Sequence, residues 1–158
     1  MESHHENPEI IIYTDGAARG NPGPGGYGVV LLSGSHRKEL SQGYQLTTNN
    51  RMELLAAIVG LEALKIEPCK VTIYTDSKYV VDSIEKRWLF NWVKNNFKGK
   101  KNIDLWKRYL EISGHHYIKF VWVKGHTGLP ENERCDILAV AASFQPNLPK
   151  DNGYIIGN

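Results

Sequence analysis

Two cysteines, Cys69 and Cys135, are all the thiol this 158-residue chain carries. They form no C-x-x-C pair, so neither a zinc site nor a dithiol redox motif is supported. No apolar run approaches the ~20 residues needed to cross a bilayer. The polar start MESHHENPE lacks the apolar centre of a signal peptide. Free thiols without an export signal point to the reducing cytoplasm. Repeats and long linkers are missing as well. The expectation is one domain over 9–145, with a flexible tail at 1–8 that includes His4 and His5, and a second tail at 146–158. Excess charge is also missing: 19 basic and 17 acidic residues leave a net +2. Distribution, and not total charge, must carry any electrostatic effect.

What is present is ordinary globular composition, 41% hydrophobic and 23% charged. A β-branched run, Ile10 to Thr14, ends at Asp15-Gly16 and predicts a first strand. Gly20 to Gly28 is dense in turn residues. Tyr27 to Leu32 and Lys38 to Leu46 predict two more strands, joined by a short polar turn at Ser33 to Ser35. Leu54, Leu55, Ile58, Leu61 and Leu64 lie at helical spacing within Asn49 to Lys65, closed by Pro68. Val71 to Thr75 and Tyr117 to Val123 predict the fourth and fifth strands. Between them come helices over Ser77 to Arg87, capped by Ser77, Leu89 to Asn96 and Ile103 to Ile112. A last helix spans Glu131 to Ser143. The first helix supplies the crossover needed to pair strands one and four in parallel. The predicted fold class is α/β: a mixed five-stranded sheet flanked by helices on both faces.

Sites in such sheets gather beyond the carboxyl ends of parallel strands. Two aspartates fit that place. Asp15 closes Ile-Ile-Tyr-Thr-Asp and Asp76 closes Val-Thr-Ile-Tyr-Thr-Asp. Either alone reads as a turn or cap aspartate; both in matching contexts read as a pair at one sheet edge. Glu53 complements the helix dipole near its N-terminus, yet it shares a stripe with Ala57, Gly60 and Leu64. Asp136 shares one with Ala139, Val140 and Ser143. Inward carboxylates need partners, and a cation would satisfy all four. Carboxylates with few His or Cys ligands favour hard ions, Mg²⁺ or Mn²⁺. Such ions clamp the attacking and leaving oxygens of a phosphoryl displacement. His126, in Val-Lys-Gly-His-Thr-Gly, reads either as an idle loop histidine or as a proton carrier.

From Lys86 to Lys101 six basic residues and no acidic ones interleave with Trp88, Phe90, Trp92 and Phe97. This composition suits a surface that tracks a phosphate backbone. It also suits a solvated basic face whose aromatics turn to the core, Trp92 above all. GPGGYG matches a G-x-G-x-x-G string, but it precedes a strand and not a helix, which speaks against nucleotide binding.

The strings YTDGAARGNPGPGGYG, TTNNRMELLAAIVGLEAL, YTDSKYVVDSI, WLFNWVKNNFKGKKNIDLW and WVKGHTGLPENERCDILA, in this order, resemble bacterial type 1 ribonuclease H. The resemblance runs from Ile10 to the C-terminal DNGY. It implies a metal-dependent endoribonuclease that hydrolyses the RNA strand of RNA–DNA hybrids, leaving 5′-phosphate and 3′-hydroxyl ends. It implies a catalytic and metal-binding quartet of Asp15, Glu53, Asp76 and Asp136, and a proton-transfer or product-release role for His126. It further implies that Asn21 and Asn49 touch base edges in the minor groove and that Thr48 and Asn102 hold a DNA-strand phosphate. Each has a plainer reading: Asn21 in a turn before Pro22, Thr48 or Asn49 as a helix cap. Lys78 stands where many relatives carry Gln; a cation there implies either an additional phosphate contact or an altered metal affinity. The Lys86–Lys101 stretch, Trp88 included, matches the family's basic handle on the DNA strand, shortened by a few residues between Phe97 and Asn102. The competing readings are a non-catalytic hybrid-binding module and a strand-transfer nuclease on the same fold. No obligatory protein partner is implied, so a monomer is expected.

Overall fold

A computed structural model describes residues 7–125 and 128–156. Strands β1 (Glu9–Ala18), β2 (Gly23–Ser33) and β3 (His36–Thr47) form an antiparallel meander. Gly34, with φ 59°, makes the tight β2–β3 connection. Helix α1 (Asn49–Glu62) crosses to β4 (Lys70–Thr75), which pairs in parallel with β1. Helices α2 (Lys78–Glu85), α3 (Trp88–Lys94) and α4 (Ile103–Ser113) lead to β5 (Tyr117–Trp122), parallel to β4. Helix α5 (Pro130–Ser143) follows. The sheet order is β3-β2-β1-β4-β5, the mixed five-stranded sheet that the sequence pattern predicts.

Period-two alternation buries Ile10, Ile12 and Thr14 of β1 while Ile11 faces out. Helix α1 presses Met52, Leu54, Ile58 and Leu61 into the core. Helix α5 packs on β1, β2 and β3. It comes so close that a Cβ on Gly28 of β2 would run into the Cys135 carbonyl and the Leu138 side chain. Trp106 of α4 is fully buried and meets Trp92, Tyr79 and Tyr109 edge to face, at 5.6, 5.7 and 6.0 Å between centroids. Such pairs are worth about 0.5–1.5 kcal/mol each beyond their buried area. They dock the basic stretch onto the domain.

Several boundaries differ from the sequence reading. Strand β1 continues past Asp15 to Ala18, paired with a β2 that begins at Gly23. The glycines there read as turns, but main-chain pairing asks for no side chain. Helix α1 stops at Glu62, short of Lys65, with Ala63 as its C-cap. On α5 the inward residues are Asn132, Cys135, Ala139, Ala142 and Ser143, whereas Val140 is 39% exposed. The segment read as a C-terminal tail is fastened to the domain. The Pro149 carbonyl accepts from the Gln45 amide (2.9 Å), and the Asp151 carboxylate accepts from Arg51 Nε (2.8 Å) and Thr47 Oγ1 (2.7 Å).

Candidate active site and nucleic-acid surface

Strands β1 and β4 run in register to the pair Tyr13–Tyr74, and Asp15 and Asp76 each stand two residues beyond it. The matched Tyr-Thr-Asp strings therefore become two carboxylates side by side. The capping work that would explain Asp76 locally is done by its neighbours. Ser77 Oγ accepts from the Val80 amide at 3.2 Å and Thr75 Oγ1 from the Ser77 amide at 3.1 Å. Glu53 arrives from α1, which can approach because residue 16 is glycine: a Cβ there would collide with the Met52–Glu53 backbone. One carboxylate oxygen from each of Asp15, Glu53 and Asp76 lies within 4.8 Å of the others. Asp136, from α5, joins them around a cavity of about 260 Å³ also bordered by Asn132 and Glu133.

This triangle is electrostatically costly as it stands. Glu53 Oε1 is buried and has no hydrogen-bond partner. Burial, then the charges of Asp15 and Asp76, hold its carboxyl well above the ordinary range. Burial, then Asp76 and Asp136, push Asp15 up to about 7, although the Gly16 amide donates to its Oδ1 at 2.9 Å. Such acids are protonated or neutralised by a cation. An all-oxygen donor set with an orphaned buried oxygen fits a hard divalent ion.

The residues expected to touch nucleic acid fall into two groups. Asn21, Thr48, Asn49 and Asn102 border one cavity of about 850 Å³, which Lys100 and Lys101 also line. Thr48 does cap α1, its Oγ1 accepting from the Arg51 amide at 3.2 Å; its O–H remains a donor. Asn49 Oδ1 accepts from the Ala18 amide (2.6 Å) and Asn21 Oδ1 from the Asn49 amide (3.0 Å). With both oxygens engaged, each carboxamide keeps its NH₂ as the donor side. The Asn102 side chain is 2% exposed and already held, accepting from Arg51 Nη1 (3.4 Å) and donating to the Tyr79 hydroxyl (3.0 Å).

Lys78 and Trp88 stand apart from that cavity. The Lys78 ammonium lies 4.7 Å over the Trp122 ring, and the Trp122 indole N–H donates to the Asp76 carbonyl at 3.1 Å. Trp88 is 43% exposed, with Lys86 over its ring. The aromatics of the basic stretch divide: Phe97 is buried and Trp92 packs on Trp106, while Trp88 and Phe90 face out. The core-packing reading thus holds for Trp92 and Phe97, and Trp88 and Phe90 remain on the surface. His126 lies outside the described residues; Gly125, just before it, stands beside the Asp76 carboxylate.

Sequence reasoning missed Trp122, Asn132, Glu133 and Arg51. Asn132 precedes Asp136 by one helical turn, a signal that was available. Arg51 carried none. It is 1% exposed, and its guanidinium donates to Asp104 (2.8 and 2.9 Å) and Asp151 (2.8 and 3.1 Å), residues distant in sequence.

Sheet order and acidic centre define a class, and the comparison with known families agrees. The RNase H family model matches residues 7–144, so the chain belongs to the ribonuclease H family. The similarity is to its type 1 members. A protein named Ribonuclease H from Desulforamulus reducens is 63% identical over 148 residues, covering 90% of this chain and 92% of the relative. One from Rippkaea orientalis is 58% identical over 151 residues, 92% of each. Among solved structures, LC9-RNase H1, a type 1 RNase H with the type 2 active-site motif, superimposes with a TM-score of 0.79 at 31% identity, covering 89% of this chain and 74% of that one. LC11-RNase H1 in complex with RNA/DNA hybrid gives a TM-score of 0.66 at 30% identity, covering 84% and 95%.

Proposed function

We propose that this protein is an endoribonuclease that hydrolyses the RNA strand of RNA–DNA hybrids at the Asp15–Glu53–Asp76–Asp136 centre, leaving 5′-phosphate and 3′-hydroxyl ends. The observation that carries the reading is the three-carboxylate triangle within 4.8 Å, with Glu53 Oε1 buried and unpartnered. Asp15, Glu53 and Asp76 hold Mg²⁺, or Mn²⁺ in its place, and Asp136 completes the centre from α5. The bound ion supplies water activation and neutralises charge developing on the phosphate. The carboxylates hold the ion and can accept hydrogen bonds from the attacking water. His126 moves a proton to or from the reacting oxygens.

Selectivity comes from the flanking surface. The NH₂ groups of Asn21 and Asn49 donate to acceptors in the wide, shallow minor groove, where the 2′-hydroxyl separates RNA from DNA. The Thr48 hydroxyl and the Asn102 turn hold a DNA-strand phosphate. Lys78, poised on Trp122, and the handle with Trp88 add backbone contacts. The enzyme acts as a cytoplasmic monomer. A non-catalytic hybrid binder is disfavoured, because crowded acids beside phosphate weaken binding unless a cation is used. Incubating the protein with labelled hybrid and Mg²⁺ tests the reading. Cleavage of the RNA strand alone is expected, and tight binding without cutting overturns it.

A further inference from the structure

The large cavity beside the active centre has a wall to which the hybrid-cleaving function gives no role. Tyr154 and Ile156 line it together with Asn21 and Thr48. Both belong to the segment after α5, and that segment is built in. Asp151, with an 8% exposed side chain, takes two hydrogen bonds from the fully buried Arg51 and one from Thr47. The Tyr154 amide donates back to the Asp151 carbonyl at 3.0 Å, closing a turn through Asn152 and Gly153. Gly153 sits directly on the Arg51–Asp104 pair, where a Cβ would collide with the Asp104 carboxylate. Arg51 also donates to Asn102 of the same cavity. The buried guanidinium thus ties the Asn102 turn to the Tyr154 turn, while the main-chain amide of the same residue donates to Thr48 Oγ1 at the helix cap.

We propose that Tyr154 is a nucleic-acid contact, its half-buried ring set against a sugar of the DNA strand, and that Arg51 and Asp151 are the positioning residues that hold it there. The proposal rests on the hybrid-cleaving reading above and adds a third side to its groove. An aromatic face packs on sugars and bases without sequence preference and without counterion release. Its loss weakens binding and leaves the salt dependence intact. That separates it from loss of Lys100 or Lys101 on the same cavity.

The test compares Tyr154→Ala, Tyr154→Phe and Asp151→Asn with the wild-type protein on a labelled hybrid, across a salt series, with thermal melts alongside. Tyr154→Ala is expected to raise KM and the hybrid Kd by about fivefold, with kcat, melting temperature and salt slope unchanged. Tyr154→Phe is expected to match wild type. Asp151→Asn is expected to raise KM, and the double variant Asp151→Asn/Tyr154→Ala to rise no further than Tyr154→Ala alone. An unchanged KM and Kd in Tyr154→Ala overturns the proposal. So does a KM rise accompanied by equal loss of kcat and melting temperature, or additive effects in the double variant. Wild-type protein that binds hybrid without cutting it overturns the nuclease reading instead. The Kd comparison then still decides the role of Tyr154.

Discussion

Tyr13 and Tyr74 stack with 5.0 Å between ring centroids and 17° between planes, at the register pair where β1 and β4 lie side by side. Each ring stands two residues before a carboxylate. The stack thus helps set the main-chain spacing of Asp15 and Asp76, and the backbone holds the two acids side by side despite their repulsion.

Replacing one of them should therefore have opposite effects on activity and stability. Asp15→Asn is expected to abolish cleavage while hybrid binding survives. Its stability effect follows from the Asp15 carboxyl, raised to about 7 from an ordinary 3.8. Between those values the folded state holds more protons than the unfolded one, so stability declines as pH rises. Asn removes that decline. We expect Asp15→Asn to be more stable by about 1–2 kcal/mol at pH 7, with the gain vanishing near pH 4. Urea melts at the two pH values check it, and an equal gain at both contradicts an origin in charge.

Metal binding must displace the protons that these acids retain. Apparent Mg²⁺ affinity, read from the rise in melting temperature on titration, should strengthen as pH rises through about 7, the Asp15 value, with Glu53, also held well above its ordinary range, adding to the rise. The same titration on Asp15→Asn should lose part of the rise.

On the handle, Lys98, Lys100 and Lys101 are exposed. Changing all three to Ala should raise KM and reduce the slope of log KM against log salt by about 2–3, close to one for each phosphate no longer neutralised. Cleavage rates from 50 to 200 mM salt measure this. An unchanged slope removes the handle from the phosphate backbone.

Arg51 lies 1% exposed between two carboxylates. Truncation to Ala leaves Asp151 buried without its partner and should cost about 3–5 kcal/mol. Adding Asp151→Asn to Arg51→Met should recover part of that loss. Chemical denaturation of the three proteins gives the comparison.

His116 is 8% exposed, and its Nδ1 accepts from the Cys69 amide at 3.0 Å. Burial keeps its pKa below the usual 6.5. The unfolded chain takes up this proton first as pH falls, so stability should drop from about 6.5 downward and hold above it. His116→Ala should cost about 1–3 kcal/mol through the stranded Cys69 amide and flatten that drop.

The sequence exposes what local pattern controls. Asp15 and Asp76 are readable because the same apolar string with Tyr-Thr precedes both. Glu53 is readable as an acid on a helical stripe. The β1 and β2 extensions across Gly16 and Gly23 are not, because glycine signals a turn whether or not its backbone is paired. Arg87 takes a φ of 63° just before α3, which no side-chain preference announces, whereas Asn102, at 60° before α4, is of a type that tolerates the left-handed region. The Arg51–Asp104–Asp151 cluster joins three distant segments and leaves no periodic trace. Neither does the fastening of the C-terminal segment that follows from it.

Gly28 presents bare backbone to α5. It works as a ruler, setting how low α5 rides on the sheet, and Asp136 is carried on that helix. A methyl group at position 28 would act as a shim. It would push on both sides of the acidic centre, for Gly28 is the register partner of Asp15 on β1 and meets α5 at Cys135, one residue before Asp136. The gap between the first carboxylate and the fourth is thus set by a residue that is not an acid.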